Sequence, residues 1–329
     1  MRSPASTLRA LLFATVGMAA LFLTSARPTR ADDKPAATGA FFGTFEGHYL
    51  DNFGETTRWG TALAVPTVNF DVMPKWGGGG RVGLGYRADA GWDVVALGAA
   101  DWLYSGQQQA LVPSSVPFIS TLAPGGGILG TTPATADAQL AYSYVDLEGG
   151  YNVKLGTVFG ARLFGGVRYA NFDQAIQTSQ TTLFSFALAQ FDARREVSYW
   201  GVGPRVGASG RLRICESPFY LVSSVSGSVL FGDMRVRESG SLSSGAALNA
   251  FSPQNTQYTA RTAYNGEGEM GVLYDISPIL QGLDVTVGYR VSGWFGVNDT
   301  RPTSLAFSSG ESHANVVTQG TFLRLNVRY

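Results

Sequence analysis

The sequence is poor in several residues that would announce common chemistries. Of its 329 residues one is cysteine, Cys215, and two are histidine, His48 and His313. A single thiol excludes a disulfide framework and any cysteine-rich zinc site. Two imidazoles leave little from which to build a histidine metal centre, and no cofactor is expected. Charge is scarce as well: 15% of residues are charged, 24 basic against 24 acidic. That balance gives no electrostatic basis for nucleic-acid binding. Lysine is nearly absent, since 21 of the 24 basic residues are arginine. Familiar catalytic spacings are missing too. There is no Gly-x-Ser-x-Gly elbow. Gly77 to Gly80 is followed by no Lys-Ser/Thr and leads into a strand, so it reads as a flexible loop end. Gly201-x-Gly203-x-x-x-Gly207 misses the dinucleotide spacing. What is plentiful is glycine, 42 residues, and aromatic side chains, 12%. The aromatic content argues for an ordered chain.

No run of apolar residues reaches the ~20 that cross a bilayer as a helix. The run Ala10–Leu23 stops at 14. Arg2 and Arg9 precede it, and Thr29-Arg30-Ala31 follows with small residues at the −3 and −1 positions of a cleavage site. This is the pattern of a secretory signal peptide. Residues 1–31 are therefore set apart, 32–40 read as a short periplasmic segment, and 41–329 as the folded body. The signal carries four arginines and no acid, so the mature chain holds 20 basic against 24 acidic residues. After Leu23 the chain is either soluble and exported or enters a membrane as strands.

Period-two alternation predicts ten strands, at about 41–49, 80–88, 92–104, 140–154, 158–172, 195–214, 219–237, 258–276, 283–295 and 315–329. Their connections alternate strictly between short (3 to 6 residues) and long (19 to 35). So many long loops count against an ordinary soluble domain. A transmembrane antiparallel β-barrel explains them, with short turns in the periplasm and long loops outside. The expected fold is thus all-β, a barrel of about ten strands (range ~8–12).

Alternation also assigns faces. In the last strand Leu323, Leu325, Val327 and Tyr329 alternate with Arg324, Asn326 and Arg328. An arginine against hydrocarbon costs ~2–4 kcal/mol near the midplane, so the polar set should face the lumen. The same rule points Arg81, Arg87, Lys154, Arg162, Arg168, Arg205, Arg211, Arg213, Arg261 and Arg290 inward. Glu46, Asp146, Glu148, Glu267, Glu269 and Asp284 join them. Positive charge leads in this census, which predicts an anion preference if the lumen is open. Ten strands make a narrow barrel, however, and Arg–carboxylate pairs could close it. The segment 92–104 is ambiguous, because Asp93 and Asp101 share parity with Val95, Leu97 and Leu103. Trp76, Trp92, Trp102, Trp200 and Trp294 fall near strand ends, as membrane-girdle aromatics do, whereas Trp59 falls in a loop.

Several runs together resemble a known family. They are Gly80-Arg81-Val82-Gly83-Leu84-Gly85-Tyr86 with Gly91-Trp92-Asp93-Val94, and Val145-Asp146-Leu147-Glu148-Gly149-Gly150-Tyr151. Phe164 to Asp173, Trp200 to Gly207 and the ending Gly320 to Tyr329 complete the set. They look like the Legionella-type major outer membrane protein family, described as pore-forming barrels. The resemblance covers roughly half the mature chain, mostly strands. It implies an outer-membrane barrel, suggests a pore, and carries over no catalytic residue. The usual signal for the barrel-assembly machinery is a terminal aromatic, here Tyr329. The expected partners are that machinery and outer-membrane lipid, and self-association stays open.

Four readings follow. The first is a narrow passive pore. The second is a closed barrel that acts through its extracellular loops, as an adhesin or envelope anchor. The third is a barrel hydrolase with His48 and His313 meeting at the mouth, and the fourth a soluble lectin-like protein. The protein is not expected to be an enzyme. N-terminal sequencing of the protein recovered from the envelope should begin at Asp32; a chain that still begins at Met1 would refute the cleavage.

Overall fold

A closed sheet needs its last strand to find its first, and here it does. The computed structural model describes residues 39–54, 57–62, 68–88, 90–110, 118–120, 129–156, 158–184, 187–244, 255–277, 279–297 and 315–328. Its strands are β1 (Ala40–Asn52), β2 (Thr57–Ala62), β3 (Val68–Val72), β4 (Trp76–Arg87), β5 (Trp92–Tyr104), β6 (Gln108–Ala110), β7 (Phe118–Ser120), β8 (Leu129–Leu155), β9 (Phe159–Phe184), β10 (Ala187–Arg213), β11 (Phe219–Ser244), β12 (Asn255–Asp275), β13 (Leu283–Phe295) and β14 (Val316–Arg328). Ten of them pair antiparallel in the ring β1-β4-β5-β8-β9-β10-β11-β12-β13-β14. The ring closes where β14 meets β1, from Phe42 opposite Arg328 to Asn52 opposite Thr318. The four short strands lie off the ring: β6 and β7 pair with β8, β2 with β7, and β3 with β2.

The four short turns and the ends of β1 and β14 share one end of the barrel, which is the periplasmic end in barrels of this type. Each turn contains a residue in the left-handed region: Gly91 (φ 88°), Gly156 (75°), Cys215 (53°) and Gly282 (78°). Three are glycine, which enters that region without a Cβ clash. Cys215 is exposed.

The outward face is apolar through the middle of the barrel. Leu84, Val94, Leu147, Leu163, Val206, Val225, Met270, Val287 and Leu323 stand exposed on it, Val206 by 66%. A soluble protein does not leave so continuous an apolar surface in water. Aromatic side chains mark its edges. At the periplasmic edge Phe41 meets Tyr86 with ring centroids 5.0 Å apart, Trp92 meets Tyr151 at 4.8 Å, and Phe219 meets Tyr274 at 4.9 Å. On the same strands, ten residues from Tyr86, Trp92, Phe159 and Tyr274, stand Trp76, Trp102, Tyr169 and Tyr264. Ten residues of a strand tilted by ~40° climb about 25 Å, the height of the apolar band of an outer-membrane barrel.

The structure revises the expected strands in two places. The glycines Gly77 to Gly80 belong to β4 and pair with β1 and β5. A Cβ on Gly77 would lie 1.8 Å from the Trp102 carbonyl oxygen, so the glycines permit close strand approach. Trp59, expected in a loop, belongs to β2. Second, β8 to β12 run for 27, 26, 27, 26 and 21 residues, against 12 or 13 for the other five ring strands. The extensions were expected as loops. Beyond the apolar band the outward face turns largely polar while the buried face mixes Ile176, Val197 and Val236 with Ala136 and Thr178, so the period-two signal fades while the backbone goes on pairing. The excess, about 14 residues in β8 to β11 and about 8 in β12, raises one wall of the barrel by ~35 Å falling to ~20 Å at β12.

Depth in the band sets the cost of a charge. Val206→Arg should destabilise the barrel by about 2–4 kcal/mol, and Thr256→Arg, above the band, by no more than about 1. Urea unfolding in lipid vesicles measures both; equal costs would contradict this placement of the membrane.

Candidate functional site

The interior is built by the opposite half of the alternation. At mid-height, cross-strand neighbours place acid beside base: Glu46 lies opposite Arg81 and Arg324, Asp146 opposite Arg168, and Glu269 opposite Arg290. Arg168 holds Asp146 with two parallel bonds, Nε to Oδ1 at 2.6 Å and Nη2 to Oδ2 at 2.7 Å. Arg290 donates to Glu46 at 2.5 Å and to Glu269 at 2.7 Å. Arg324 donates to Glu46 at 2.8 Å and to Glu269 at 2.6 Å. This forked geometry is what arginine offers and lysine does not.

Other bridges cross the barrel. Arg81 on β4 reaches Glu269 at 2.6 Å and Glu267 at 3.4 Å on β12. Arg168 on β9 and Arg205 on β10 reach Glu267 at 2.8 and 3.2 Å. Glycine makes room for two contacts that skip a strand. Gly166 lies between Glu148 and Arg205, and a Cβ there would come within 2.0 Å of the Leu147 oxygen. Across it Arg205 Nε reaches Glu148 at 2.9 Å. Gly79 lies between His48 and Asp101, where a Cβ would meet the Asp101 carboxylate. His48 Nε2 contacts Asp101 across that gap, and its Nδ1 lies 3.0 Å from Glu46. Toward the periplasm Arg162 joins Glu148 at 3.3 Å to Asp93 at 2.7 Å. The six guanidinium groups of Arg81, Arg162, Arg168, Arg205, Arg290 and Arg324 thus meet six carboxylates, those of Glu46, Asp93, Asp146, Glu148, Glu267 and Glu269, and His48 adds a seventh, that of Asp101.

Above this layer the interior turns apolar. Trp294 on β13 packs edge-on against Phe172 on the opposite wall, with centroids 4.5 Å apart. It also meets Tyr142 and Tyr144 on β8 at 5.8 and 6.0 Å. Leu50, Leu103, Leu140, Tyr199, Leu230, Met234 and Val316 belong to the same cluster. Trp294 and Arg168 are each 0% exposed and Asp146 1%, whereas the Arg324 side chain in the charged layer keeps 23% of its surface exposed.

Three expectations change. Trp294 is not a girdle residue: it shares parity with Arg290 and Ser292, and all three are buried inside. Trp76, Trp92 and Trp200 stand outward and exposed, and Trp102 is partly exposed; Tyr329 lies outside the described residues. The segment 92–104 is resolved: Asp93, Asp101 and Leu103 are buried inside, and Leu97 packs against the apolar cluster. Those two aspartates narrow the positive lead in the inward census from twelve against six to twelve against eight. Several expected lumen residues also stand at the rims. Arg87 and Arg213 are exposed at the periplasmic mouth, and Arg328 binds Asp284 there at 2.5 Å. Arg211 lies over the Tyr220 ring at 3.6 Å, and Arg261 reaches the Met234 sulfur at 3.4 Å. His48 has both ring nitrogens against carboxylates, while His313 lies outside the described residues. Among the described residues no cluster is suited to a metal ion.

A family model described as Legionella pneumophila major outer membrane protein precursor matches residues 15–329. The chain belongs to this family. Membership and the barrel together place the protein in the outer membrane. No curated protein matches the sequence. Among solved structures it is similar to the outer membrane protease OmpT from Escherichia coli, at 10% identity and a TM-score of 0.44 over 90% of this chain and 99% of that one. It is also similar to the toluene transporters TodX of Pseudomonas putida and TbuX of Ralstonia pickettii. TodX matches at 7% identity and a TM-score of 0.28, over 89% of this chain and 90% of that one. TbuX matches at 9% and 0.28, over 88% and 90%. At these scores the likenesses carry nothing about activity.

Removing one partner of a buried charge network leaves the others unpaired. Arg168→Met should therefore cost about 3–5 kcal/mol. The pair Arg168→Met with Asp146→Leu should recover most of that loss. A double-mutant cycle by urea unfolding in vesicles tests this; additive losses would mean the two side chains act independently.

Proposed function

We propose that this protein is a sealed, non-enzymatic outer-membrane barrel that anchors a raised extracellular wall and works through it. One observation carries the reading: Trp294 and Arg168, in the middle of the barrel, are fully buried. The ion-pair layer joins β4, β9 and β10 to β12, and the Trp294 cluster joins β13 to β8 and β9. A passive pore needs a continuous column of water, and these two layers interrupt it. In this reading the long strands β8 to β12 present the working surface, for adhesion or for envelope structure. Residues 1–31 serve as the cleaved export signal, and the last strand, ending in Tyr329, is read by the assembly machinery in the periplasm.

The pore implied by the family resemblance would require both layers to move aside. Planar-bilayer recording separates the two readings. The sealed barrel gives no discrete conductance steps, whereas Trp294→Ala combined with Arg168→Ala opens the interior and raises the current. Regular steps from the unaltered protein would overturn the sealed reading.

A further inference from the structure

Every arginine whose side chain is described points inward or lies at the periplasmic rim, with three exceptions. Arg194, Arg235 and Arg237 point outward, and all three stand on one patch of the raised wall. Across β10 and β11, Trp200 lies opposite Asp233, Ser198 opposite Arg235, and Glu196 opposite Arg237. On the far side of β11, Arg235 lies opposite Tyr258. Trp200 and Phe231, 46% and 57% exposed, mark the outer edge of the apolar band here. Two residues along a strand tilted by ~40° climb about 5 Å. Arg235 therefore stands about 5 Å above the girdle and Arg237 about 10 Å, at the height of the lipid headgroups.

The three arginines are not equivalent. Arg194 is bound to Glu196 at 2.8 Å. Arg235 lies 5.5 Å from the Tyr258 ring centroid, and among the described residues neither it nor Arg237 has a carboxylate partner. With Glu196 and Ser198 they line a shallow cleft of about 70 Å³. Inside this barrel guanidinium groups are matched to carboxylates almost one for one. Here two adjacent ones, on one strand and one face, are left for something outside the chain.

We propose that Arg235 and Arg237 form a binding site for a phosphate group carried by an outer-leaflet glycolipid. Two forked donors at headgroup height suit a phosphate monoester. Ser198 supplies a hydroxyl beside them, and Trp200 and Phe231 lie below, where the lipid's acyl chains begin. The site is independent of whether the interior conducts.

The test uses the full mature chain folded in detergent, incubated with a bisphosphorylated glucosamine-disaccharide lipid, and native mass spectrometry to read bound lipid. Removing the positive charge should weaken binding about fivefold for each arginine and about thirtyfold for Arg235→Gln with Arg237→Gln. Each single variant gives its own fivefold reading, and retained heat-modifiable gel mobility shows that the barrel is folded. Arg213→Gln, at the periplasmic end, should bind as the unaltered protein does. The dephosphorylated lipid should bind the unaltered protein as weakly as the double variant. Inorganic phosphate at the lipid's concentration should not displace it. Equal binding by the double variant, equal binding of the dephosphorylated lipid, or displacement by inorganic phosphate would each overturn the proposal.

Discussion

Hydrocarbon outside the sheet is the constraint on which everything else depends. A strand has two faces, and lipid claims one of them for apolar side chains. Every charge the strand carries must then share the other face with the charges of nine more strands. Arg168, Arg205, Glu267 and Glu269 meet because a closed ring leaves them nowhere else to go. Taking these groups from water is costly, and their pairing offsets that cost without guaranteeing a net gain. What the arrangement does secure is register. A slip by one residue would turn every arginine of a strand toward lipid and its valines toward the network. The penalty for such a slip rises with each buried charge, so the same residues that fill the barrel also lock its strands in place.

Glycine belongs to this argument. Directly opposed pairs such as Asp146–Arg168 need nothing between them. Glu148–Arg205 and His48–Asp101 must reach across an intervening strand, and Gly166 and Gly79 are what they reach across. Some of the abundant glycine therefore serves electrostatics, by removing the side chain that would keep two charged groups apart.

Much of the barrel was legible in the sequence, because lipid writes its demand at period two. The strands at 92–104 and 283–295 match β5 and β13, and the four turns fall where short polar connections interrupt the alternation. What was not legible lies where lipid makes no demand. Above the band Asp173, Ser198 and Arg235 face outward while Thr178 and Ala136 are buried on the other face, so neither face of the raised wall is consistently apolar. Inside the barrel, position along the strand decides whether a residue meets the charged layer or the apolar one. Leu103 and Asp93 can therefore share a face, as can Trp294 and Arg290. The parity of Trp294 with Arg290 was a usable signal for its burial; its nearness to a strand end was the weaker guide. Cross-barrel partners such as Arg81 and Glu269 leave no trace in a single sequence, since only closure brings them together.

The unequal strand lengths give the molecule a front and a back. β8 to β12 are tall and adjacent, and β13, β14, β1, β4 and β5 are low and adjacent. A barrel with an even rim meets its neighbours identically from every direction. Among the described residues the paired sheet continues outward on one half of this perimeter and ends near the membrane on the other, so a body moving in the plane of the membrane meets a different run of paired strand according to the side from which it comes. Crowded in a membrane, such proteins have a compass bearing, and their packing becomes a matter of orientation as well as distance.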